Sequence, residues 1–332
     1  MGRSSRNNNR VYGGYLSRLV ISLDFELFWG VSESRTIKNY GNSIEGVWEA
    51  VPGMLALFRK YDIRATWATV GMLMCRDYAQ WRAIRPTTQP NYHRLECSTY
   101  ALDAEVKENS KLFFARPLVE EILGTQGQEL ASHTYSHFFC GEDGVTPLQF
   151  AADLACANEI ASEMGIIFQS VVFPRNQVKQ EFLEELPKAG IQVYRGNPDH
   201  WLYRDGHFTP SGLAGRAVRF ADTWIPITGD HVADVMPIDG LTNVPASLFL
   251  RPWSHRFSSL EALRLHRVKG AMSAAARTGR VCHIWWHPHN FGVHLEKNLV
   301  ALQSVLEHYL NLKDAYGMLS ANMGDFAPME KK

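Results

Sequence analysis

The sequence predicts an α/β protein whose parallel sheet closes, or nearly closes, into a barrel. Strand-like and helix-like segments alternate along almost the whole chain, and about seven strand signals suit a barrel better than an open sheet. The first strand signal is a near-continuous apolar run, as expected of a strand buried on both faces. The length of 332 residues, 45% hydrophobic, suffices for a large core in one unit.

The elements follow in order. Arg18–Phe28 opens with Leu19, Val20, Ile21 and Leu23 before Asp24 and Glu26 interrupt the run. Glu45–Tyr61 has a helical pattern, with Val47, Val51, Leu55 and Phe58 at three- and four-residue spacing. Pro52 within it sets the expected helix start near that proline. Ile63–Val70 is rich in β-branched and aromatic residues and completes a βαβ unit. Arg76–Phe113, with Trp81, Pro86 and Pro90, reads as an insertion over one rim, a substrate lid. A helix at Pro117–Thr125 and a strand at Glu129–Ser132 come next. Pro147–Met164 is a helix, Ile166–Phe173 a strand, Gln180–Ala189 a helix and Ile191–Tyr194 a strand. Gly206–Asp222 reads as a glycine-rich loop with a short helix. Pro245–Leu250 is a strand, Leu260–Arg277 a helix, Val281–Trp286 the last clear strand and Leu295–Ala315 a closing helix. With no internal repeat or linker, residues 16–332 are expected to form one barrel domain with an insertion near 76–113, behind a disordered tail at 1–15.

Lys+Arg and Asp+Glu are each 34, so the formal net charge is zero. Such a chain lacks the electrostatic footprint of a nucleic-acid binder and any polybasic run for an anionic membrane. No apolar stretch reaches the length that spans a bilayer, so no transmembrane segment is expected. No apolar run precedes Val11, so no signal peptide is expected either. The cysteines at 75, 97, 140, 156 and 282 are scattered without a CxxC pair and read as reduced, buried thiols of a cytoplasmic protein.

In a barrel of this type the site gathers where strands end at the C-terminal face. Asp24 and Glu26 end the first strand, two residues apart on one face. Such a pair calls for positive charge, supplied by a metal ion or by arginines. His133 and His137, in SHTYSH, follow the strand at Glu129–Ser132. Their spacing brings two imidazoles to one side of a helical turn, suited to a shared divalent ion or to two capping histidines. His283, Trp285 and His287 share one face of the last strand. His287, at its end, is the candidate general acid, imidazoles exchanging protons near neutrality. His283 reads as a satisfied core histidine. His289 is a second-choice acid or a substrate contact. Arg175, in FPRNQ, either orients a carboxylate base or is a solvated loop charge. Asn176 beside it is a candidate substrate contact, as are the stacking aromatics Trp286, Trp285, Trp201 and Tyr203.

In this order the pieces resemble the polysaccharide deacetylase family, the NodB-like carbohydrate esterases. SLDFE resembles the first family motif, TFDDG or its D-x-D/E variants. LFRKYDIRATWATVG is similar to the helix-then-strand segment that follows it. QELASHTYSH resembles the second motif, HEIGNHTYSH, and is the most specific match. FPRNQ takes the place of the third motif, RxPY, and WWHPHNFG that of the last, which supplies a histidine. The resemblance covers roughly Leu19 to Phe291, apart from 76–113 and 202–250.

The resemblance implies a distorted (β/α)7 barrel, polysaccharide deacetylase-like. It implies a divalent metal, Zn2+ foremost, held by Glu26, His133 and His137, with Asp24 as base and His287 as acid. The base-orienting role falls to Arg175. This chain differs in using a glutamate two residues after Asp24, with Phe25 in the adjacent position, and in setting the proline of the third motif before its arginine. The expected function is hydrolysis of an N-acyl group, N-acetyl foremost, on a sugar carried by a nucleotide or a lipid, in glycan or O-antigen biosynthesis. The alternatives are hydrolysis of a non-sugar amide, such as a cyclic ureide or formamide, and a degenerate barrel that binds sugar without turnover.

Overall fold

β1, Arg18–Phe25, is buried along almost its whole length because both of its faces are apolar. This computed structural model describes residues 16–204 and 212–328. The remaining strands are β2 (Ala65–Thr69), β3 (Gln128–Ser132), β4 (Ser170–Val172), β5 (Val193–Arg195), β6 (Pro237–Ile238), β7 (Leu241–Asn243), β8 (Leu248–Phe249), β9 (Val281–Trp286) and β10 (Leu319–Ala321). They pair in the order β6-β7-β5-β4-β3-β2-β1-β9-β8, with β10 beside the start of β1. Among the described strands every ladder is parallel except β6 with β7, and an isolated antiparallel bridge joins Ala233 to Val281.

β7 and β8 are two ends of one run. Val244 N–H donates to the Tyr194 carbonyl and Ala246 N–H to Gly196, on the β5 side. Ser247 N–H then donates to the His283 carbonyl, on the β9 side. One short stretch thus bridges β5 and β9, and the fold is the expected distorted (β/α)7 barrel.

The strand alternation sorts the core into two compartments. Leu19, Ile21, Leu23 and Phe25 face outward onto the helices, with Met54, Leu55, Phe58 and Trp286. Val20, Ala68, Ala131, Val172, Val193, Val244 and Val281 face inward as a mostly small apolar layer. Below this layer Glu129 accepts from Thr66 Oγ1 (2.6 Å), Ser170 Oγ (2.6 Å) and the Gly324 N–H (3.0 Å) and closes the base. Above it lie the polar groups of the site.

Several element boundaries differ from the sequence reading. The helix Val47–Tyr61 does not wait for Pro52 but runs through it, because buried Val47, Ala50, Val51 and Met54 anchor its first turns. The expected helix after β4 is one turn, Gln180–Leu183, followed by a 3-10 turn at Pro187–Ala189; a proline cannot continue a helical hydrogen-bond ladder. Gly212–Ala221 is a helix. The tail at 1–15 and residues 205–211, which include the first part of the expected Gly206–Asp222 loop, lie outside the described residues. The 76–113 segment folds into short helices, Tyr78–Ala83 and Asp103–Glu108, with 3-10 turns, and packs through buried Trp81, Tyr92 and Tyr100. The five cysteines are free and buried. Among the described residues no helix is long and apolar enough to cross a membrane.

Candidate active site

Inward alternation along β1 carries Val20, Ser22 and then Asp24 up the barrel, and Asp24 is buried near the mouth. Its partner comes from the end of β5. Arg195, fully buried, donates from Nη1 to Oδ1 (2.7 Å) and from Nη2 to Oδ2 (2.8 Å). The same guanidinium donates to Ser22 Oγ (2.9 Å) and Asn176 Oδ1 (2.8 Å), and lies 4.4 Å from the Trp285 ring centre. His283 completes this layer as a core histidine. Its Nδ1 donates to the Val244 carbonyl (3.0 Å), and its Nε2 accepts from Ser22 Oγ (2.8 Å). Burial, then the nearby Arg195 charge, lowers its pKa to about 3, so the ring is neutral. Burial alone would raise the Asp24 carboxyl; the charge and hydrogen bonds of Arg195 outweigh that and hold it below its ordinary range.

Glu26 follows β1 and its side chain folds back over Gly30. A Cβ at Gly30 would overlap the Glu26 carboxyl group, so only glycine leaves room. Glu26 Oε2 lies 3.3 Å from His133 Nε2 and 3.1 Å from His137 Nε2. One donor atom from each of Glu26, His133 and His137 lies within 4.8 Å of the others, and all three residues are buried. His133 Nδ1 lies 2.8 Å from the Val172 carbonyl and donates to it, so in the neutral ring, the form that binds a metal, the lone pair sits on Nε2. That nitrogen has no hydrogen-bond partner although it faces a carboxylate oxygen. Two electron-rich atoms at this distance repel unless positive charge lies between them. Burial lowers the His137 pKa and keeps its imidazole neutral, as a ligand must be. The donor set therefore fits a divalent cation, with positions left for water and substrate.

The four-residue spacing of His133 and His137 does not come from a helical turn. Residues 133–137 form a loop in which Thr134 and His137 have φ of 63° and 57°. Non-glycine residues adopt this conformation only when the surroundings enforce it. Buried Asp153, from the helix Pro147–Ser162, accepts from the Tyr135 N–H (2.6 Å), the Ser136 N–H (3.2 Å) and the Ser136 hydroxyl. From the 76–113 segment, Thr99 Oγ1 donates to the Ser136 carbonyl (3.2 Å), and Tyr92 Oη accepts from the Phe139 N–H (2.9 Å).

His287 stands just past β9. Its Nδ1 lies 3.3 Å from Asn290 Oδ1. Its Nε2 faces both carboxylates, 3.5 Å from Glu26 Oε1 and 3.9 Å from Asp24 Oδ2. His289 is buried behind it, stacked at 5.0 Å between ring centres, with the Tyr40 ring edge-on to it at 5.6 Å. Burial, then the His287 charge, lowers its pKa to about 3.

A cavity of 550 Å³ opens beside His287. Its walls include Asn176, Asn197, Tyr203, Arg216, Arg219, Phe249, Arg251 and Trp285. Of the expected substrate contacts, Asn176 lines this cavity and His289 does not. Trp286 is fully buried on the outward face, where its Nε1 lies 3.4 Å from Met54 Sδ and its ring stacks on Phe291. Strand alternation gives the inward face to Trp285 instead. Trp201 is exposed outside these walls.

Arg175 does not reach Asp24. Arg175 and Asn176 both have φ of 55°, which turns Arg175 outward to Glu33 and Glu142 (3.5 Å) and over the Phe139 ring (4.3 Å). The arginine on Asp24 is Arg195. The signal for it is the one that singles out Asp24, a charged residue ending a strand, since Arg195 directly follows the expected strand Ile191–Tyr194.

No family model matches the sequence, and no curated protein matches it. Solved structures do. A protein assigned as a polysaccharide deacetylase from Mycobacterium smegmatis aligns with a TM-score of 0.58 at 14% identity, over 95% of this chain and 91% of that one. Another so assigned, from Pseudomonas aeruginosa PAO1, aligns with a TM-score of 0.53 at 14% identity, over 93% and 90%. Puue allantoinase aligns with a TM-score of 0.53 at 13% identity, over 93% and 87%. The chain therefore has the NodB-like polysaccharide deacetylase fold.

Proposed function

We propose that this chain is a metal-dependent amide hydrolase that removes an N-acyl group, N-acetyl foremost, from a sugar. The observation that carries the reading is the convergence of Glu26, His133 and His137 beside an arginine-gripped Asp24 and the open nitrogen of His287. A divalent cation held by those three side chains, zinc by the donor set, would polarise the amide carbonyl and lower the pKa of a water. Asp24 takes a proton from the attacking water as the oxygen–carbon bond forms. Arg195 keeps the Asp24 carboxylate ionised and fixed, so its free lone pairs face the mouth. His287 presents Nε2 to the scissile nitrogen and hands it a proton as the carbon–nitrogen bond breaks. Asn290, at the other ring nitrogen, fixes that orientation. A sugar on a nucleotide or lipid carrier in glycan assembly, such as that of O-antigen, is the substrate class we favour. Five unpaired buried thiols support a reducing, cytoplasmic setting.

The test pairs metal analysis with an acetate-release assay on UDP-linked and free N-acetyl sugars. We expect one divalent metal per chain and turnover that stops on chelation. Asp24→Asn should keep the metal and lose about 10²–10⁴-fold in turnover, the range for a general base. Protein without metal, unrestored by added zinc, would sink the reading in favour of a barrel that binds sugar without turnover. The allantoinase relative favours a second reading, a cyclic ureide or other small amide as substrate. Turnover of such amides with no acetate released from any sugar would establish it.

A further inference from the structure

The proposed chemistry uses the β1–β3 side of the mouth and His287. It leaves unexplained the cavity on the other side, which has three arginines in its walls, Arg216, Arg219 and Arg251. The chain as a whole is formally neutral, so this is a local concentration of positive charge. The carboxylate in the same walls, Asp222, is already engaged. It accepts from Tyr203 Oη (2.9 Å), the Thr228 N–H (2.9 Å) and Thr228 Oγ1 (2.8 Å), with Arg267 at 3.7 Å. Arg251 makes no ion pair among the described residues, and its buried Nε has no hydrogen-bond partner. Its guanidinium lies 5.4 Å from the Phe220 ring centre, and burial with the nearby Arg264 charge lowers its pKa. A partly buried guanidinium left this way is an anion site in waiting. Arg219 spends one bond on the Leu202 carbonyl (3.2 Å), and Arg216 is exposed.

We infer that this cavity binds a phosphoryl group of the substrate, so that the acyl-bearing sugar is a phosphorylated one. The inference rests on the reading of the site as a sugar deacetylase. A single carboxylate is satisfied by one arginine fork, whereas three guanidiniums suit a group with more oxygens and more than one negative charge. The volume exceeds the lower end of the range for drug-sized ligands, about 300–1,000 Å³, and leaves space for a sugar between the arginines and His287. Trp285 and Phe249 supply the apolar wall between them.

Calorimetric titration of the metal-loaded protein with inorganic pyrophosphate, UDP, uridine and glucuronate tests this without turnover. We expect pyrophosphate and UDP to bind at least about tenfold tighter than uridine or glucuronate. Equal binding of UDP and pyrophosphate identifies a bare phosphoryl site, and tighter UDP a nucleoside diphosphate site. Arg251→Gln, and Arg216→Gln at its exposed position, should each remove about tenfold of the preference. The proposal is overturned if no phosphate compound binds, if glucuronate binds as well, or if both variants keep full phosphate affinity, which would put the anion on the metal. Phosphate binding without acetate release would sink the deacetylase reading, and with it the acyl-bearing sugar, and leave only the phosphoryl preference of the cavity. Acetate release with no phosphate preference would sink this inference alone.

Discussion

Consider Arg195→Met, which removes the guanidinium from both oxygens of a buried carboxylate and leaves a side chain of comparable reach. Arg195 is fully buried and makes four hydrogen bonds, two of them to Asp24 and one each to Ser22 and Asn176. Ser22 keeps His283 as a partner, so its loss is small. Asp24 keeps no comparable counter-charge at hydrogen-bond distance. Breaking a buried pair from one side costs about 3–5 kcal/mol, because an uncompensated charge stays behind. The expected loss in unfolding free energy is therefore about 4 kcal/mol, read by urea denaturation of metal-saturated protein at neutral pH. The double variant Arg195→Met with Asp24→Asn removes both charges and should recover at least about 2 kcal/mol of that loss. A single variant costing under about 1 kcal/mol, or a double variant costing the full sum of the singles, would show that the two side chains are not energetically coupled.

Gly30→Ala should push the Glu26 carboxyl out of place and cut metal affinity by about tenfold or more, measured by chelator competition; Gly41→Ala, which makes only ordinary contacts, should not. Asp153→Asn should cost about 1–3 kcal/mol, because Asn cannot accept from all the donors that now face the carboxylate, and loop residues 134–137 should lose hydrogen-exchange protection. Burial raises the Asp153 pKa from 3.8 to about 6, so the native state holds that proton more tightly than the unfolded chain does. Its contribution is then full below about pH 3 and lost as pH rises through about 6, and native stability relative to Asp153→Asn should fall by about 2 kcal/mol from pH 4 to pH 7, at about 1.4 kcal/mol per unit of displaced titration. A flat difference would refute the assignment. Trp286→Ala should cost about 3–5 kcal/mol in stability as a core truncation, while Trp285→Ala should act mainly on substrate KM.

The parts of this fold legible in the sequence are those fixed by strand periodicity. β1 and β9 read correctly because burial on both faces leaves an unbroken apolar run, and polar residues at their ends mark the mouth. The alternation that sets His283 and Trp285 inward also sends Trp286 outward, so its place in the core follows from the same rule. Arg195 carries the same signal, a charged residue at a strand end, whereas the match of FPRNQ to a motif points to Arg175. What a motif cannot carry is backbone conformation. Two consecutive left-handed residues at 175 and 176 reverse which side chain faces the site. The loop at 133–137 likewise reproduces helical spacing without a helix, because its shape depends on Asp153, some twenty residues on. The arginine cavity draws its walls from segments far apart in the chain, and no local pattern announces it.

The bridging run at 241–249 divides the barrel mechanically. β1 is stitched to β2 and β9 by long ladders, whereas the bridge holds each neighbour through only a few bonds. Amides of Val244, Ala246 and Ser247 should therefore exchange with solvent sooner than those of β1. On the proposed function, the stiff half of the ring carries the groups that would have to hold still during bond breaking, and the thin seam borders the chamber that would admit and release the substrate.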